Sequence, residues 1–249
     1  MIILYDNKLD NATLTASSEN AAYPADNVKD LQLVKVWRTT GDSSEYLEID
    51  LGDSYTIEGI AIANHNLSSG STTKIQAILT GDTWGDTKQI DDTLTYDSDI
   101  IIDSNTEYTS KYRHWRFTFG DTNNSDTYLQ IGRIYLGGRL AIDNCAVSFV
   151  EKYEDTSAIS TSITGQVYGD EGVLIRKYDC AFPRWDDSRK AEIVAMINTV
   201  KRTKPIFLVF DESNVDKITP VYVVIENSMD YSHIFNYRWS SSIKFREVK

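Results

Sequence analysis

The chain has 249 residues, 41% of them hydrophobic and 11% aromatic, which is enough to bury a core in one large or two smaller domains. A formal net charge of −12 argues against a nucleic-acid partner, because backbone phosphates call for clustered Lys and Arg. No run approaches the ~18 consecutive apolar residues of a membrane span, and Met1 to Asp6 lack the pattern of an export signal, so the expectation is a protein made in a cytoplasm, without export or membrane insertion.

From the start to about residue 140 the pattern is of short strands at close intervals. Glu45 to Leu51 alternates, sending Leu47, Ile49 and Leu51 to one face and Tyr46, Glu48 and Asp50 to the other. Further strands are expected at 56–63, 74–80, 111–119 and 128–136. In the third of these, Trp115, Phe117 and Phe119 face the core while His114, Arg116 and Thr118 face away. The segment 91–110 reads as a loop, a short strand at Ile100 to Ile102, and another loop. No amphipathic helix interrupts this half, which implies an antiparallel sandwich or jelly roll.

Gly137-Gly138 reads as a break, after which the pattern changes. A strand over Ala141 to Tyr153 is followed by a Thr, Ser and Gly loop through 169 and a strand at 172–181. Asp186 or Asp187 then caps a helix with Ile193, Val194, Ile197 and Val200 on one face, and Pro205 lies beyond its end. Strands follow at Ile206 to Phe210, Val221 to Ile225 and Tyr237 to Val248. The charge divides in the same way: residues 1–140 hold 11 Lys and Arg against 21 Asp and Glu, whereas 141–249 hold 14 against 16. The reading is mainly β: a sandwich domain, 1–140, and a small α+β domain with one main helix, 141–249.

Enzyme signatures are missing: the chain has no G-x-G-x-x-G, no P-loop, no H-E-x-x-H and no G-x-S-x-G. Of its three histidines, His114 sits mid-strand on the polar face and His233 in a loop. His65, in Asn64-His65-Asn66, ends a strand, where Asn and His tolerate the backbone angles of a turn; the functional alternative is a ligand-facing loop. Asp91-Asp92, Asp97-x-Asp99 and the group at Asp26 and Asp30 lack the spacing of a calcium loop, so they read as solvated charge, and no metal, cofactor or catalytic residue is assigned. Cys145 and Cys180, far apart, read as buried thiols rather than a disulfide. Trp115 and Trp239 read as core. Trp37, Trp84 and Trp185 border loops, where an exposed indole can stack on a sugar or anchor an interface.

Taken in order, LTASSENAAYPADNVKD (14–30), VWRTT (36–40), YLEIDLG (46–52), IEGIAIANHNLS (57–68), YRHWRFTF (112–119) and LQIGRIYLGG (129–138) resemble a discoidin-like, or F5/8 type C, domain. NHNLS, and IGRIYLGG leading into a second domain, are similar to the version in tail proteins of tailed bacteriophages. GQVYGDEGVLIRKYDCAFPRW, a helix and KPIFLVFDES resemble the α+β module of phage minor tail or baseplate proteins. The resemblance implies a discoidin-like jelly roll and glycan recognition through loops at one end, with calcium as the one cofactor it leaves open. The stretch from Asp26 to Trp37 departs from the compact Asp-Gly-Asn-x-x-Thr-x-Trp pattern of glycan binders in the family.

The expectation is therefore a non-enzymatic structural protein of a phage tail or baseplate, a homo-oligomer within the virion tail, assembled in the host cytoplasm. Its partners would be other tail proteins and a host-surface glycan or receptor. Candidate ligand-binding residues are Trp37, Arg38, His65, Asn66 and Trp84; candidate assembly residues are Arg184 and Trp185. The alternative is a carbohydrate-binding accessory module without catalytic activity.

Overall fold

A computed structural model describes residues 1–104, 108–142, 149–210, 219–235 and 238–249. Alternation of apolar and polar residues builds the two longest strands of the first unit, and the rest pair around them. Its strands are β1 (Ile2–Asn7), β2 (Thr13–Ala16), β3 (Trp37–Arg38), β4 (Glu45–Ile57), β5 (Gly59–Ala63), β6 (Thr72–Ile78), β7 (Ile90–Leu94), β8 (Ile100–Asp103), β9 (Tyr108–Gly120), β10 (Gln130–Ile131) and β11 (Ile134–Ala141). One sheet runs β2-β4-β9-β6-β7 and another β1-β11-β5-β8, antiparallel throughout, with β3 and β10 as a separate short pair. Between the two sheets lies one core that includes Leu47, Ile49, Ile60, Ile62, Ile75, Trp115, Phe117, Ile134 and Leu136. This is an antiparallel sandwich of the jelly-roll kind.

Two expectations change here. Gly137-Gly138 is not a break: both glycines lie inside β11, where β1 bulges between Leu4 and Asp6 and its Asp6 carbonyl crowds Gly137. The loop expected near 91 contains β7, whose pairing to β6 is visible only in the fold.

The second unit contributes β12 (Phe149–Asp155), β13 (Ala158–Thr161), β14 (Val167–Asp170), β15 (Leu174–Trp185), α1 (Asp187–Val200), then β17 (Val221–Ile225), β18 (Ser232–Phe235) and β19 (Arg238–Glu247); β16 (Ile206–Val209), which precedes β17 in the chain, lies in the first unit but for Ile206. β12, β15 and β19 form successive antiparallel neighbours, and β17 and β18 also pair with β19. Asp186 caps α1, its Oδ1 accepting from the Arg189 amide at 2.8 Å, and the helix buries Ile193, Met196 and Val200. Met196 takes the central place that the periodicity gave to Val194 and Ile197, which are half-buried.

The units are not contiguous in sequence. Met1–Ala141 and Phe207–Val221 form the first, and Ile142–Ile206 with Tyr222–Lys249 form the second. β16 leaves the second half of the sequence to pair with β1, Ile2 opposite Val209 and Leu4 opposite Phe207. The Ser- and Thr-rich stretch expected as a loop is a hairpin, β13 with β14, turned at Gly165, whose φ of 82° is the left-handed conformation glycine allows. Cys180 is buried in β15, while Cys145 falls outside the described residues.

Candidate functional site

The polar positions of β4 and β9 share the outer face of the five-stranded sheet, and the register sets them side by side. Thr15, Glu48, Arg116, Gln76 and Asp91 form one row across β2, β4, β9, β6 and β7; Thr13, Asp50 and His114 form the next. Residues two apart on a strand point the same way, so these two rows make a continuous polar floor. Above it stands Trp84, on the loop between β6 and β7. That loop is tied by Asp86, whose Oδ2 accepts from the Thr83 amide at 2.7 Å and the Thr83 hydroxyl at 3.0 Å.

The result is a groove of about 210 Å³ lined by Thr13, Thr15, Glu48, Ile49, Asp50, Trp84 and His114. Arg116 anchors it. Its guanidinium carbon lies 4.2 Å from the Trp84 ring centre and 4.7 Å from that of Tyr46, and its Nη2 donates to Glu48 Oε1 at 2.6 Å. Arg113 grips Asp50 in a two-pronged pair, Nε to Oδ1 at 2.5 Å and Nη2 to Oδ2 at 2.7 Å. Bonded in this way, the Asp50 carboxyl is pushed down to about 2, against the smaller opposing effect of burial. Both groove carboxylates are thus charge-compensated while keeping lone pairs free of the arginines.

The sequence-derived candidates fall in different places. Trp37 is a correction: it is fully buried, its Nε1 donating to the Ser18 carbonyl at 3.0 Å and its ring edge-on to Phe119, so it belongs to the core and offers no surface to a ligand. Arg38, the next residue, turns outward between the rings of Tyr23 and Tyr128. Asn66 is spent internally, Nδ2 donating to Asp126 Oδ2 and the Tyr128 carbonyl and Oδ1 accepting from the Gln130 amide. Asn64 takes a positive φ of 55° and donates to the Leu33 carbonyl. His65 Nδ1 accepts from the Leu67 amide at 3.3 Å, its ring meets Tyr96, and burial pushes its pKa below the ordinary histidine value. Asn64-His65-Asn66 is therefore a turn clasp, as its backbone preference suggested.

Gln130 links Arg38 with Asn66, whereas Trp84 shares no hydrogen bond or ring contact with either among the described residues. Trp185 is also corrected: it is 4% exposed and packs on Phe182 at 4.5 Å, while Arg184 is exposed at a bulge of β15. Trp239, read as core, is half-exposed; its Nε1 donates to Asp187 Oδ1 at 2.7 Å and the Lys190 ammonium lies 3.1 Å from its ring centre. No cluster of three or more His, Cys, Asp or Glu positioned for a metal occurs among the described residues. Asp97 instead accepts from the amides of Asp99 and Ile100 within its own turn.

Sequence reasoning missed Thr13, Thr15, Glu48, Asp50 and Arg116 as parts of one site. The signal was present in the alternation of 45–51 and 113–119, but not the register that aligns them.

No protein-family model and no curated protein sequence matches the chain. Solved structures with a similar fold include a family 32 carbohydrate-binding module of Clostridium perfringens in complex with GalNAc-β-1,3-galactose, at 12% identity, covering 53% of this chain and 100% of that one with a TM-score of 0.43. A chitosan-binding module of a chitosanase/glucanase from Paenibacillus sp. IK-5 aligns at 20% identity, 54% and 100% coverage and a TM-score of 0.42. A fucose-binding module of Streptococcus pneumoniae aligns at 14% identity, 53% and 98% coverage and a TM-score of 0.42. At these identities and scores the likenesses assign this chain neither a ligand nor a partner.

Proposed function

We propose that the chain is a non-catalytic binding protein whose outer-face groove takes an uncharged carbohydrate. The observation that carries this reading is the composition of the groove: one indole wall, threonine hydroxyls, an imidazole and two carboxylates already neutralised by arginines. An indole offers an apolar face to the C–H surface of a pyranose, and the carboxylates accept from its hydroxyls in charge-assisted bonds. Compensated charge favours a neutral ligand over a cation. Acid–base hydrolysis of a glycoside needs a carboxyl whose pKa is raised, and Asp50 is moved the other way. Affinity in the millimolar to micromolar range, about −4 to −8 kcal/mol, suits a site of this size and openness. Trp84→Ala is expected to reduce retention on a neutral polysaccharide column at least tenfold without changing the thermal midpoint. Retention that survives the substitution, or no retention of the unmutated chain on any of a broad panel, would sink the reading.

The second unit suits an anchor built from protein contacts, which together with a recognition domain makes a tail or baseplate protein of a phage. A different feature supports this part. The β13–β14 hairpin carries no charged residue from Ala158 to Gly169, yet Ile159, Ile163, Val167 and Tyr168 are all well exposed on it. An isolated two-stranded ribbon is marginal in water, and uncharged strand edges invite pairing with another chain. Antibody to the purified chain is expected to label the tails of released particles. Label absent from intact particles, with free protein in the medium, would leave the accessory carbohydrate-binding module instead.

A further inference from the structure

The polar row that begins in the groove runs on past it. Thr15 and Glu48 line the groove, and the register continues the row through Arg116 on β9 to Gln76 on β6 and Asp91 on β7. Glu48 takes only one prong of Arg116, the Nη2 at 2.6 Å, and the Arg116 Nε–H is buried with no acceptor among the described residues. Arg113, on the same strand, closes both its Nε and its Nη2 on Asp50. Gln76 is 6% exposed; its Nε2 donates to Asp91 Oδ1 at 3.0 Å, and its Oε1 is buried with no donor. The amide is not reversible, because the bond from Gln76 holds the Asp91 carboxyl below the usual carboxylate range, and an ionised carboxylate only accepts.

Gln76 and Arg116 stand directly opposite each other on β6 and β9, and no other two of the described side chains with an unpartnered buried polar atom do so. One offers an acceptor and the other a donor. Burying either alone costs stability, so each calls for a partner that the protein does not itself supply. Trp84 closes over them: the Arg116 guanidinium carbon lies 4.2 Å from its ring centre, and it is the one residue from Leu79 to Thr87 that is not exposed. Two backbone bonds within that loop, from the Asp82 amide to the Leu79 carbonyl and from the Asp86 amide to the Thr83 carbonyl, tie it only to itself. The indole therefore holds the loop down on Arg116.

We infer that the groove continues beneath Trp84 and there takes the primary hydroxyl of a hexose, the Arg116 Nε–H donating to it and Gln76 Oε1 accepting from it. This rests on the carbohydrate reading of the groove and narrows it to sugars with a free hydroxymethyl arm. A hydroxyl is the group that accepts and donates at once. A carboxylate would leave the Gln76 oxygen without a donor, and an ammonium would lie against a guanidinium and leave its Nε–H unpaired. The strand that carries Arg116 lies one spacing, about 4.8 Å, beyond the strand that carries Glu48. A hydroxymethyl oxygen stands one bond further from the pyranose ring than a ring hydroxyl, so it is the arm with the longer reach. An analogue without that hydroxyl is rejected, because donor and acceptor are then both left unpaired.

The test is a nuclear magnetic resonance titration of the full chain with the methyl glycosides of glucose, galactose and mannose, each beside its 6-deoxy counterpart. At least one hexoside is expected to shift the Arg116 Nε–H signal saturably, and its 6-deoxy counterpart to bind at least tenfold more weakly. Gln76→Met, which keeps the volume and removes the acceptor, is expected to bring the two within about twofold of each other. Equal binding of hexoside and 6-deoxy counterpart by the unmutated chain would overturn the hydroxyl site and leave the groove reading standing. Binding of no hexoside also overturns it, and retention on the polysaccharide column then decides the groove reading by itself. A preference that survives Gln76→Met would remove Gln76 from the site. If the two groups share only a water, Gln76→Met moves the thermal midpoint while the unmutated chain binds hexoside and counterpart alike. Where Gln76→Met does not fold, the unmutated chain decides: an Arg116 Nε–H signal moved by the hexoside and not by its counterpart supports the site, and an unmoved signal overturns it.

Discussion

Replacing Trp37 by alanine is expected to destabilise the protein by about 3–5 kcal/mol, the range for removing a buried indole or phenyl ring. The side chain has no exposed surface, its ring packs edge-on to Phe119 with centres 6.0 Å apart, and its Nε1 satisfies the Ser18 carbonyl. Truncation leaves a cavity at one end of the sandwich core and takes away the donor to Ser18. Against a total stability of about 5–15 kcal/mol, much of the folded population is at stake. Urea denaturation followed by circular dichroism measures this directly. The same experiment separates the core reading from the binding-loop reading, which predicts an unchanged midpoint and lost ligand. A shift under 1 kcal/mol would mean that Trp37 is not core.

Gly137→Ala is expected to cost about 3 kcal/mol, the upper part of the range for forcing extra atoms into a packed interior. A Cβ at that position would lie 2.2 Å from the Asp6 carbonyl oxygen and 3.0 Å from the Tyr135 hydroxyl. The first neighbour is backbone at the bulge of β1, so relief requires the strand itself to move, with Ile2, Ile3 and Leu4 buried along it. Its neighbour is the control. At Gly138 the nearest atom to a new Cβ is Glu58 Oε2 at 3.7 Å, an ordinary contact, and alanine there reduces only the freedom of the unfolded chain. Gly138→Ala should be neutral or stabilising by up to about 1 kcal/mol. Equal melting curves for the two variants would refute the close approach of β1.

These two sites show where sequence reading succeeds and where it stops. Alternation in Tyr46 to Leu51 and Arg113 to Phe119 gives the facing of Glu48, Asp50, His114 and Arg116 on the groove floor, because the period of a strand is local. Trp37 reads as bordering a loop because β3 is two residues long and offers no alternation to read. Gly137 and Gly138 read as a break because glycine usually ends strands, whereas here the requirement comes from β1, far away in the sequence but paired with β11. The hairpin at 158–170 lacks apolar periodicity altogether, so its Ser and Thr content suggested a loop. Asp186 as helix cap was legible, since capping depends on a side chain and an amide three residues on. Trp84 reads as bordering a loop, but Arg116, Glu48 and His114 beside it come from strands distant in sequence, and only their register assembles them.

The return of β16 to β1 has a consequence for how this chain is made. Ile2 and Val209 are some two hundred residues apart in sequence, so the sheet that holds β1 cannot be finished until β16 has left the ribosome. During that interval the residues between must begin to organise while one edge of β1 waits unpaired. Closing so long a loop is slow, and an open edge rich in isoleucine and leucine is a place for other nascent chains to attach. The architecture also means that no single cut can release both units whole: a cleavage after Ala141 leaves the first without its final strand, and one after Val221 leaves the second in two pieces.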